Sequence, residues 1–238
     1  MNEVAEKMPE TSTGTIVEVD GIAKRYEGGV QALKGVDLTI PSGQLTSFLG
    51  PSGCGKTTLA TNLAGAFART GFTTVLADCD RQKSTLAWLR QRPDGVPAIS
   101  GLDWTGDIGK VSKKTQRLVV DAPAAIRKKG VQELVREADV IVIPVLPSLF
   151  DQDTSRSFLR VLDKLKPIRN NKRAVAVVGN RMRLRTTSAG QLNDFLEGLK
   201  QDAVAQFRDS QLYVAAAAAG LSVFDMPPSR SEKVVADW

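Results

Sequence analysis

A glycine-rich segment at residues 50–57 carries the residue types that bind a phosphate chain. It reads GPSGCGKT, which satisfies the pattern GxxxxGK[ST] of a phosphate-binding loop, or P-loop. In such a loop the backbone amides point at phosphate oxygens, the lysine adds positive charge near the β and γ phosphates, and the threonine hydroxyl is a Mg²⁺ ligand. The apolar stretch before it and the helical pattern after it are the context that the motif requires. The alternative, an ordinary glycine-rich turn, does not account for this context.

The sequence therefore predicts a site for a nucleoside triphosphate and Mg²⁺. Lys56 is the predicted catalytic cation, and Thr57 is a predicted Mg²⁺ ligand. The predicted nucleotide contacts in the loop are Gly53, Cys54, Gly55, Lys56, Thr57 and Thr58.

Aspartates follow two buried-looking strands further along the chain. Asp121 comes directly after Arg117 to Val120, and Asp78 and Asp80 come after Thr74 to Ala77. The carboxyl ends of parallel strands meet at one edge of a sheet, where ligands bind. A single aspartate of this kind more often caps a turn or a helix, but together the three predict a metal and water site beside the P-loop.

Composition limits the remaining chemistry. The 238 residues include no histidine, which excludes Ser-His-Asp triads, Cys-His pairs and most catalytic zinc sites. The two cysteines, Cys54 and Cys79, lack the spacing of a zinc site. Carboxylates, lysine, hydroxyls, backbone amides and a hard metal ion are left for catalysis.

Positive charge is concentrated in one segment. The chain has a net charge of +6, yet residues 154–185 alone hold ten basic side chains and one acidic side chain, Asp163. Arg156, Arg160 and Lys164 recur every four residues, which places them on one helix face. This stripe is either a solvated surface or, as its density favours, a contact for the backbone of non-specific double-stranded DNA. The expected DNA contacts are Arg156, Arg160, Lys164, Arg181, Arg183 and Arg185.

The order of apolar segments predicts the fold class. Short strands occupy the region before residue 45, and further apolar strands then alternate with helical patterns. Strands that are apolar on both faces and separated by helices indicate a mostly parallel sheet covered by helices on both faces. We therefore predict an α/β P-loop NTPase with a small N-terminal antiparallel strand addition.

The same patterns predict the domain organisation. Residues 1–14 are polar and aperiodic and are expected to form a flexible tail, residues 15–44 form the strand addition, and residues 45–238 form the P-loop domain. The longest apolar stretch, Val140 to Phe150, is broken by two prolines and is too short to cross a bilayer. The first residues lack the basic and apolar regions of a signal peptide. We expect a cytoplasmic protein without stable membrane insertion.

Six segments after the P-loop occur in a recognisable order. They read TTLATNLAGAFARTG, VLADCDRQKSTLAWL, LVVDAPAA, ADVIVIPVLPSLFDQDTS, VVGNR and GLSVFD. Through them the chain from about Leu59 to Trp238 resembles the ParA/MinD-type partition ATPases. This resemblance covers some three quarters of the sequence.

Residues 15–58 carry a different resemblance. They contain VEVDGIAKRY and ALKGVDLTIPSGQLTSFLGPSGCGKTT and resemble the opening of an ABC transporter ATPase, in which Tyr26 stacks on adenine. The rest of that pattern is missing, since no LSGGQ-like signature follows and Ala122, in place of a glutamate, follows Asp121. The ParA/MinD loop in turn carries a signature lysine where this chain has Pro51. We infer a chimera that is joined within or near the P-loop.

The ParA/MinD resemblance implies roles for individual residues. Lys56 and Thr57 keep their phosphate and Mg²⁺ roles, and Asp121 contacts the metal through water. Asp80 positions the attacking water, and Asn180 recognises adenine, a role for which the ABC-like tyrosine competes. The implied chemistry is in-line attack of water on the γ-phosphate of ATP. Hydrolysis is expected to be slow because the signature lysine is missing.

The resemblance also implies partners. They are non-specific double-stranded DNA, a second copy in an ATP-dependent homodimer, and an activating adaptor protein. Such a protein partitions or positions a plasmid, a chromosome or another cargo, and is nucleoid-associated when it binds DNA. Two alternatives stay open: an ABC transporter ATP-binding subunit, and a nucleotide-gated DNA-binding module without turnover.

Overall fold

The strands predicted from the apolar segments form a parallel sheet at the centre of the protein. The computed structural model describes residues 17–25, 31–40, 44–124, 126, 128–170, 172–183, 186–198 and 203–238. The strands of the central sheet are β3 (Gln44–Phe48), β4 (Thr74–Asp78), β5 (Ser100–Asp103), β6 (Arg117–Asp121), β7 (Val140–Val145), β8 (Ala174–Met182) and β9 (Ala203–Arg208). Within the described residues they pair in the order β5-β4-β6-β3-β7-β8-β9. Every pairing is parallel, which confirms the predicted sheet.

Helices cover both faces of this sheet. They are α1 (Lys56–Arg69), α2 (Ser84–Arg90), α3 (Lys128–Glu137), α4 (Leu149–Asp163), α5 (Lys166–Arg169), α6 (Thr187–Gly198), α7 (Gln211–Ala218) and α8 (Pro228–Val235). Side chains of α1 and α2, such as Leu59 and Trp88, share one apolar core with Val119 of β6. Side chains of α3, α4 and α6 share a second core with Val120, the next residue of the same strand. Successive strand residues point to opposite faces, so the predicted two-sided arrangement is confirmed.

The segment before the central sheet forms a separate hairpin. Strands β1 (Val17–Arg25) and β2 (Gln31–Ile40) pair antiparallel, and β2 lies beside the edge strand β9. The predicted N-terminal antiparallel addition is therefore confirmed. The predicted tail at residues 1–14 and the tyrosine at position 26 lie outside the described residues. The division into a strand addition and a P-loop domain stays a prediction.

The register of the sheet aligns the carboxyl ends of its inner strands. Phe48 of β3 lies beside Asp121 of β6, and Asp121 lies beside Asp78 of β4. The loop that follows β3 and the acidic residues that end β6 and β4 thus meet at one edge. In the described part of the chain, no helix combines the length and the apolar character that crossing a bilayer requires.

A buried arginine lies at the opposite end of the sheet. Arg117 is only 1% exposed, and its guanidinium lies over the rings of Phe67 and Phe72, 5.4 and 4.6 Å from their centroids. Its Nε and Nη2 atoms have no hydrogen-bond partner among the described residues. Gln44, which lies beside Arg117 in the β3–β6 register, has a buried Oε1 that also has no partner there. Nη1 of Arg117 donates to the backbone carbonyl of Gln116 at 2.6 Å, but no carboxylate among the described residues pairs with the guanidinium, and a buried charge without a counter-charge lowers the stability of a fold.

We expect the substitution Gln44→Glu to stabilise the protein. A carboxylate on the neighbouring strand would face the guanidinium and pair with it, which would raise the free energy of unfolding by about 1–2 kcal/mol. Gln44→Met, which has a similar shape and no charge, is the control. Urea unfolding at neutral pH measures both variants. A Glu variant that is less stable than the Met variant would contradict the expected pairing.

Candidate nucleotide-binding site

The predicted P-loop curls between β3 and α1 as the motif requires. Gly50, Gly53 and Gly55 have φ angles of 148°, 79° and 94°, which L side chains rarely adopt. Gly55 directly precedes α1, and a Cβ atom placed on it would lie 2.2 Å from Nδ2 of Asn180. Both its conformation and its surroundings therefore demand glycine. The curl places the start of α1 at the same edge of the sheet as the strand ends. The free backbone amides at a helix N-terminus bind anions.

Lys56 places its charge inside this loop. Its side chain is 7% exposed, and Nζ donates to the backbone carbonyls of Gly50 and Pro51, both at 2.9 Å. The loop thus holds an ammonium group at its centre through neutral partners. No carboxylate within the described residues forms an ion pair with Lys56, so its charge stays available to an anion.

Thr57 and Asp121 form the acidic side of the site. The Thr57 hydroxyl donates to Oδ2 of Asp121 at 2.6 Å, and Asp121 is 2% exposed. Its Oδ1 atom is buried without a hydrogen-bond partner among the described residues. Burial, with a contribution from the charge of Asp78, raises the pKa of Asp121 to about 7, although the Thr57 hydrogen bond acts to lower it. A buried free carboxylate oxygen beside a hydroxyl fits a hard divalent cation.

Protein groups alone do not complete a metal site here. The described residues contain no cluster of three or more His, Cys, Asp or Glu side chains that could hold a metal ion. Mg²⁺ usually binds through one or two carboxylates together with water and substrate phosphates. The hydroxyl of Thr57 and the carboxylate of Asp121 therefore match Mg²⁺ that arrives with a nucleotide.

Asp78 does not belong to the predicted metal and water site. It is fully buried, and its Oδ2 accepts hydrogen bonds from the amide and hydroxyl of Thr85 and the amide of Leu86, at 2.9, 2.6 and 3.2 Å. Its Oδ1 accepts from the amide of Asp80 at 3.0 Å. The carboxylate therefore fixes the first turn of α2. The expectation that three aspartates share one site is wrong for this residue.

Asp80 lies two residues beyond the strand, in the turn that leads to α2. Its Oδ1 accepts from the amide of Gln82 at 3.0 Å, and the side chain is half-buried. Its charge contributes to the raised pKa of Asp121, so the two carboxylates interact. Asp78 at the end of β4 is fully buried, so of these two aspartates only Asp80 is accessible to a reacting water.

Asn180 joins β8 to the P-loop. Its Nδ2 donates to the carbonyl of Cys54 at 2.8 Å, and its Oδ1 accepts from the amide of Arg181 at 2.9 Å. The residue is 5% exposed. Burial raises the pKa of the Cys54 thiol, and the hydrogen bond with Asn180 is made by the Cys54 backbone carbonyl. Adenine recognition by Asn180 stays a prediction, and the structure adds that its amide supports the loop.

A cavity of about 1030 Å³ extends from the start of α1 past Asn180. Its volume is in the range of small-molecule sites. The carboxyl ends of β7, β8 and β9 and the first turns of α4 and α7 form its walls. Residues of these walls are Leu146, Ser148, Asp151, Asn180, Arg181, Arg183, Arg208, Ser210, Gln211, Tyr213 and Val214. Sequence reasoning missed the wall from β9 and α7 because these residues form no motif and lie far from the P-loop along the chain.

The predicted DNA contacts fall into two groups. Arg160 of α4 and Lys164, which directly follows this helix, are exposed, whereas Arg156 of α4 is half-buried with its guanidinium 5.1 Å from the ring centroid of Phe195. Two residues of the predicted stripe, Arg160 and Lys164, are therefore exposed. Its first residue, Arg156, packs against α6.

The remaining arginines lie elsewhere. Arg181 and Arg183 line the cavity, and Arg183 forms an ion pair with Asp209 at 2.9 Å. Arg185 lies outside the described residues. The structure thus does not bring Arg181 and Arg183 into the stripe on α4.

Residues 48–220 match the family model described as the CobQ/CobB/MinD/ParA nucleotide binding domain. Three solved structures are similar in fold. Apo McdA from Cyanothece has a TM-score of 0.66 at 15% identity, covering 82% of this chain and 97% of McdA. MinD from Pyrococcus horikoshii with Mg-ADP has a TM-score of 0.62 at 14% identity, covering 80% of this chain and 92% of MinD. A putative plasmid partition protein from Borrelia burgdorferi bound to AMPPNP has a TM-score of 0.61 at 11% identity, covering 81% of this chain and 95% of the partition protein.

A short segment is similar to another kind of protein. The sulfate/thiosulfate import ATP-binding protein CysA of Methylococcus capsulatus is 59% identical over 49 residues, which is 21% of this chain. The sn-glycerol-3-phosphate import ATP-binding protein UgpC of Chromohalobacter salexigens is 51% identical over 49 residues. This chain spans only 14% and 13% of the length of these two relatives. The short, high-identity matches fit the inferred chimera of two families.

We expect Asp78 and Asp80 to differ in their effect on stability. Asp78→Ala leaves buried amides and a hydroxyl without an acceptor and should lower the free energy of unfolding by about 3 kcal/mol. Asp80→Ala removes one turn hydrogen bond at a half-buried position and should cost about 1 kcal/mol or less. Urea unfolding of both variants measures the difference. Equal losses would contradict the separate roles of the two aspartates.

Proposed function

This chain belongs to the CobQ/CobB/MinD/ParA family of nucleotide-binding domains, and on that premise we propose that it is an ATPase that binds ATP with Mg²⁺. The observation that carries the proposal is the joint placement of Lys56 inside a glycine-rich loop and of the Thr57–Asp121 pair, 2.6 Å apart, at the carboxyl edge of a parallel sheet. Two solved relatives of the same fold hold Mg-ADP and AMPPNP.

The loop residues divide the binding of the nucleotide among them. Backbone amides between Gly53 and Thr58 receive the phosphates, and the Lys56 ammonium compensates their charge. Thr57 would hold Mg²⁺ directly and Asp121 would hold it through water, and the ion would neutralise charge on the β and γ phosphates. The cavity beside Asn180 offers room for the base and ribose.

Hydrolysis requires a water in line with the γ-phosphate. We assign its positioning to Asp80, because this carboxylate lies at the same edge as Asp121 and is not committed to the helix cap. The turnover of phosphoryl-transfer sites depends on positioning and charge and not on a covalent intermediate. Pro51 stands where the ParA/MinD signature lysine is expected, so slow turnover is consistent with the proposal.

The exposed basic residues favour a DNA-binding function for this ATPase. Arg160 lies in the last turn of α4 and Lys164 directly follows the helix, and Lys166 and Arg169 of the adjoining α5 are exposed as well. Lys and Arg side chains that contact phosphates bind DNA without reading its sequence. We therefore extend the proposal to non-specific binding of double-stranded DNA.

Together these activities describe a partition or positioning ATPase. ATP would favour a homodimer that binds DNA, an adaptor protein would stimulate hydrolysis, and release from DNA would position a plasmid, a chromosome or another cargo. The likeness to a plasmid partition protein supports this assignment at the level of fold. Cytoplasmic and nucleoid-associated localisation follows from the proposal.

Two other functions are weighed against this one. An ABC importer subunit is favoured by the 59% identity to CysA, but only over 49 residues, whereas the nucleotide-binding family model spans residues 48–220. A nucleotide-gated DNA-binding module without turnover is favoured by Pro51. Intact ATP-dependent DNA binding without phosphate release would select that module.

Lys56→Ala tests the nucleotide site. Removing the only cation inside the described part of the loop should weaken ATP binding roughly 100-fold, about 2.7 kcal/mol, and abolish phosphate release. Isothermal titration with ATP and Mg²⁺ measures affinity. Lys129→Ala, at a lysine whose side chain is 88% exposed on α3, is the matched control. Equal affinity of the two variants would contradict the proposed site.

Charge reversal on α4 tests the DNA surface. The double variant Arg160→Glu/Lys164→Glu should lower the ATP-dependent affinity for a random-sequence duplex by about 100-fold and flatten its salt dependence, because two phosphate contacts become repulsive. Lys128→Glu/Lys129→Glu on α3 reverses the same number of charges and should change affinity much less. Fluorescence anisotropy of the labelled duplex at low and high salt measures the DNA affinity of both double variants. Equal losses in both double variants would show that only net charge matters.

A further inference from the structure

The wall of the cavity that sequence reasoning missed is built by the end of β9 and the start of α7. Arg208, Asp209 and Tyr213 all line the cavity. The peptide amide of Asp209 donates to the carbonyl of Met182 at 2.9 Å, which joins this wall to β8. The wall therefore continues the site from Asn180 towards α7.

The penultimate residue of the chain binds this wall. Asp237 is 9% exposed, and its Oδ2 accepts from Nε and from the backbone amide of Arg208, at 2.6 and 3.0 Å. Its Oδ1 accepts from Nη2 of the same arginine at 2.7 Å. This bidentate pair with an added amide contact fixes both the direction of the guanidinium and the position of the strand end.

The last residue binds the same wall at a second point. Nε1 of Trp238 donates to the hydroxyl of Tyr213 at 3.1 Å. The indole also packs against Phe207 and Phe224, with ring centroids 4.5 and 5.7 Å apart. Burial raises the pKa of Tyr213, and Asp237 raises it further, so the phenol is neutral, and its oxygen accepts the hydrogen bond from the indole N–H.

We propose that Asp237 and Trp238 are positioning residues for the nucleoside half of the ATP site. They hold Arg208 and Tyr213 in position. The β9–α7 wall, to which these two residues belong, then lies beside the place where the base and ribose would bind. The phosphates bind instead at the loop between β3 and α1, so their binding should depend little on this pair. This inference rests on the proposed function, because it assumes that the cavity receives a nucleotide.

A second ion pair offers a matched control. Arg92 and Asp225 also form a bidentate contact, at 2.9 and 3.3 Å, and both side chains are buried. This pair ties the segment before α8 to the end of α2, and neither residue lines the cavity. Asp225→Asn therefore weakens a similar ion pair and destabilises the fold without altering the cavity wall.

The experiment compares two probes on the wild type and three variants. Wild type, Asp237→Asn and Asp225→Asn are titrated with ATP and with inorganic tripolyphosphate, each with Mg²⁺, below the unfolding temperature of every variant. Asp237→Asn should weaken ATP binding roughly tenfold and leave tripolyphosphate binding within about twofold. Asp225→Asn should change neither. Trp238→Phe, which keeps an aromatic ring and loses the indole N–H, should shift ATP affinity in the same direction by a smaller factor.

Each outcome decides one claim. Equal ATP affinity in wild type and Asp237→Asn overturns the positioning role and leaves the proposed function standing. The positioning role is also overturned if Asp237→Asn weakens both probes alike, or if Asp225→Asn weakens ATP binding as much, because general destabilisation then explains the loss. A wild-type chain that binds neither probe overturns the proposed function and this inference with it.

Discussion

Phe48, Asp121 and Asp78 lie side by side in one row of the parallel sheet, and the whole site depends on that register. Because the three strands run in the same direction, the loop after β3, the carboxylate that ends β6 and the carboxylate that ends β4 emerge at one edge. A register shift of one residue in β6 would turn Asp121 to the other face of the sheet, and the same shift in β4 would turn Asp78. The 2.6 Å contact between Thr57 and Asp121 is the direct result of this alignment.

The inferred junction of the two families lies within or near the P-loop, which follows strand β3. The ABC-like segment and the ParA/MinD-like remainder share a strand, a glycine-rich loop and a helix start, so a junction there can keep both neighbours of β3 paired, as the β6 and β7 registers show. The amino-terminal end of the strand fits less well. Arg117 keeps two nitrogens without a partner among the described residues, beside a glutamine whose oxygen also has none there.

Local sequence patterns were sufficient to predict the parallel sheet and the position of the glycine-rich loop. The roles foreseen for Lys56 and Thr57 depend on a contiguous motif, and the place of Asp121 depends on a strand end, so the parallel fold and the edge of the site were predictable. Asp78 ends β4 and Asp80 lies two residues beyond it, and only the contacts of Asp78 with α2 show that Asp78 is the residue that caps the helix. The β9–α7 wall and its C-terminal supports join segments that are distant in sequence and share no motif. Contacts of that kind require the structure.

The central claim is that the P-loop, the Thr57–Asp121 pair and the cavity form one nucleotide site. A crystal structure of the chain with Mg²⁺ and a non-hydrolysable ATP analogue tests it most directly. We predict phosphates on the amides from Gly53 to Thr58, the Lys56 ammonium turned from the loop carbonyls towards them, and the base in the cavity beside Asn180. Density for the phosphates without Mg²⁺ at Thr57, or a base bound outside the cavity, would contradict the account.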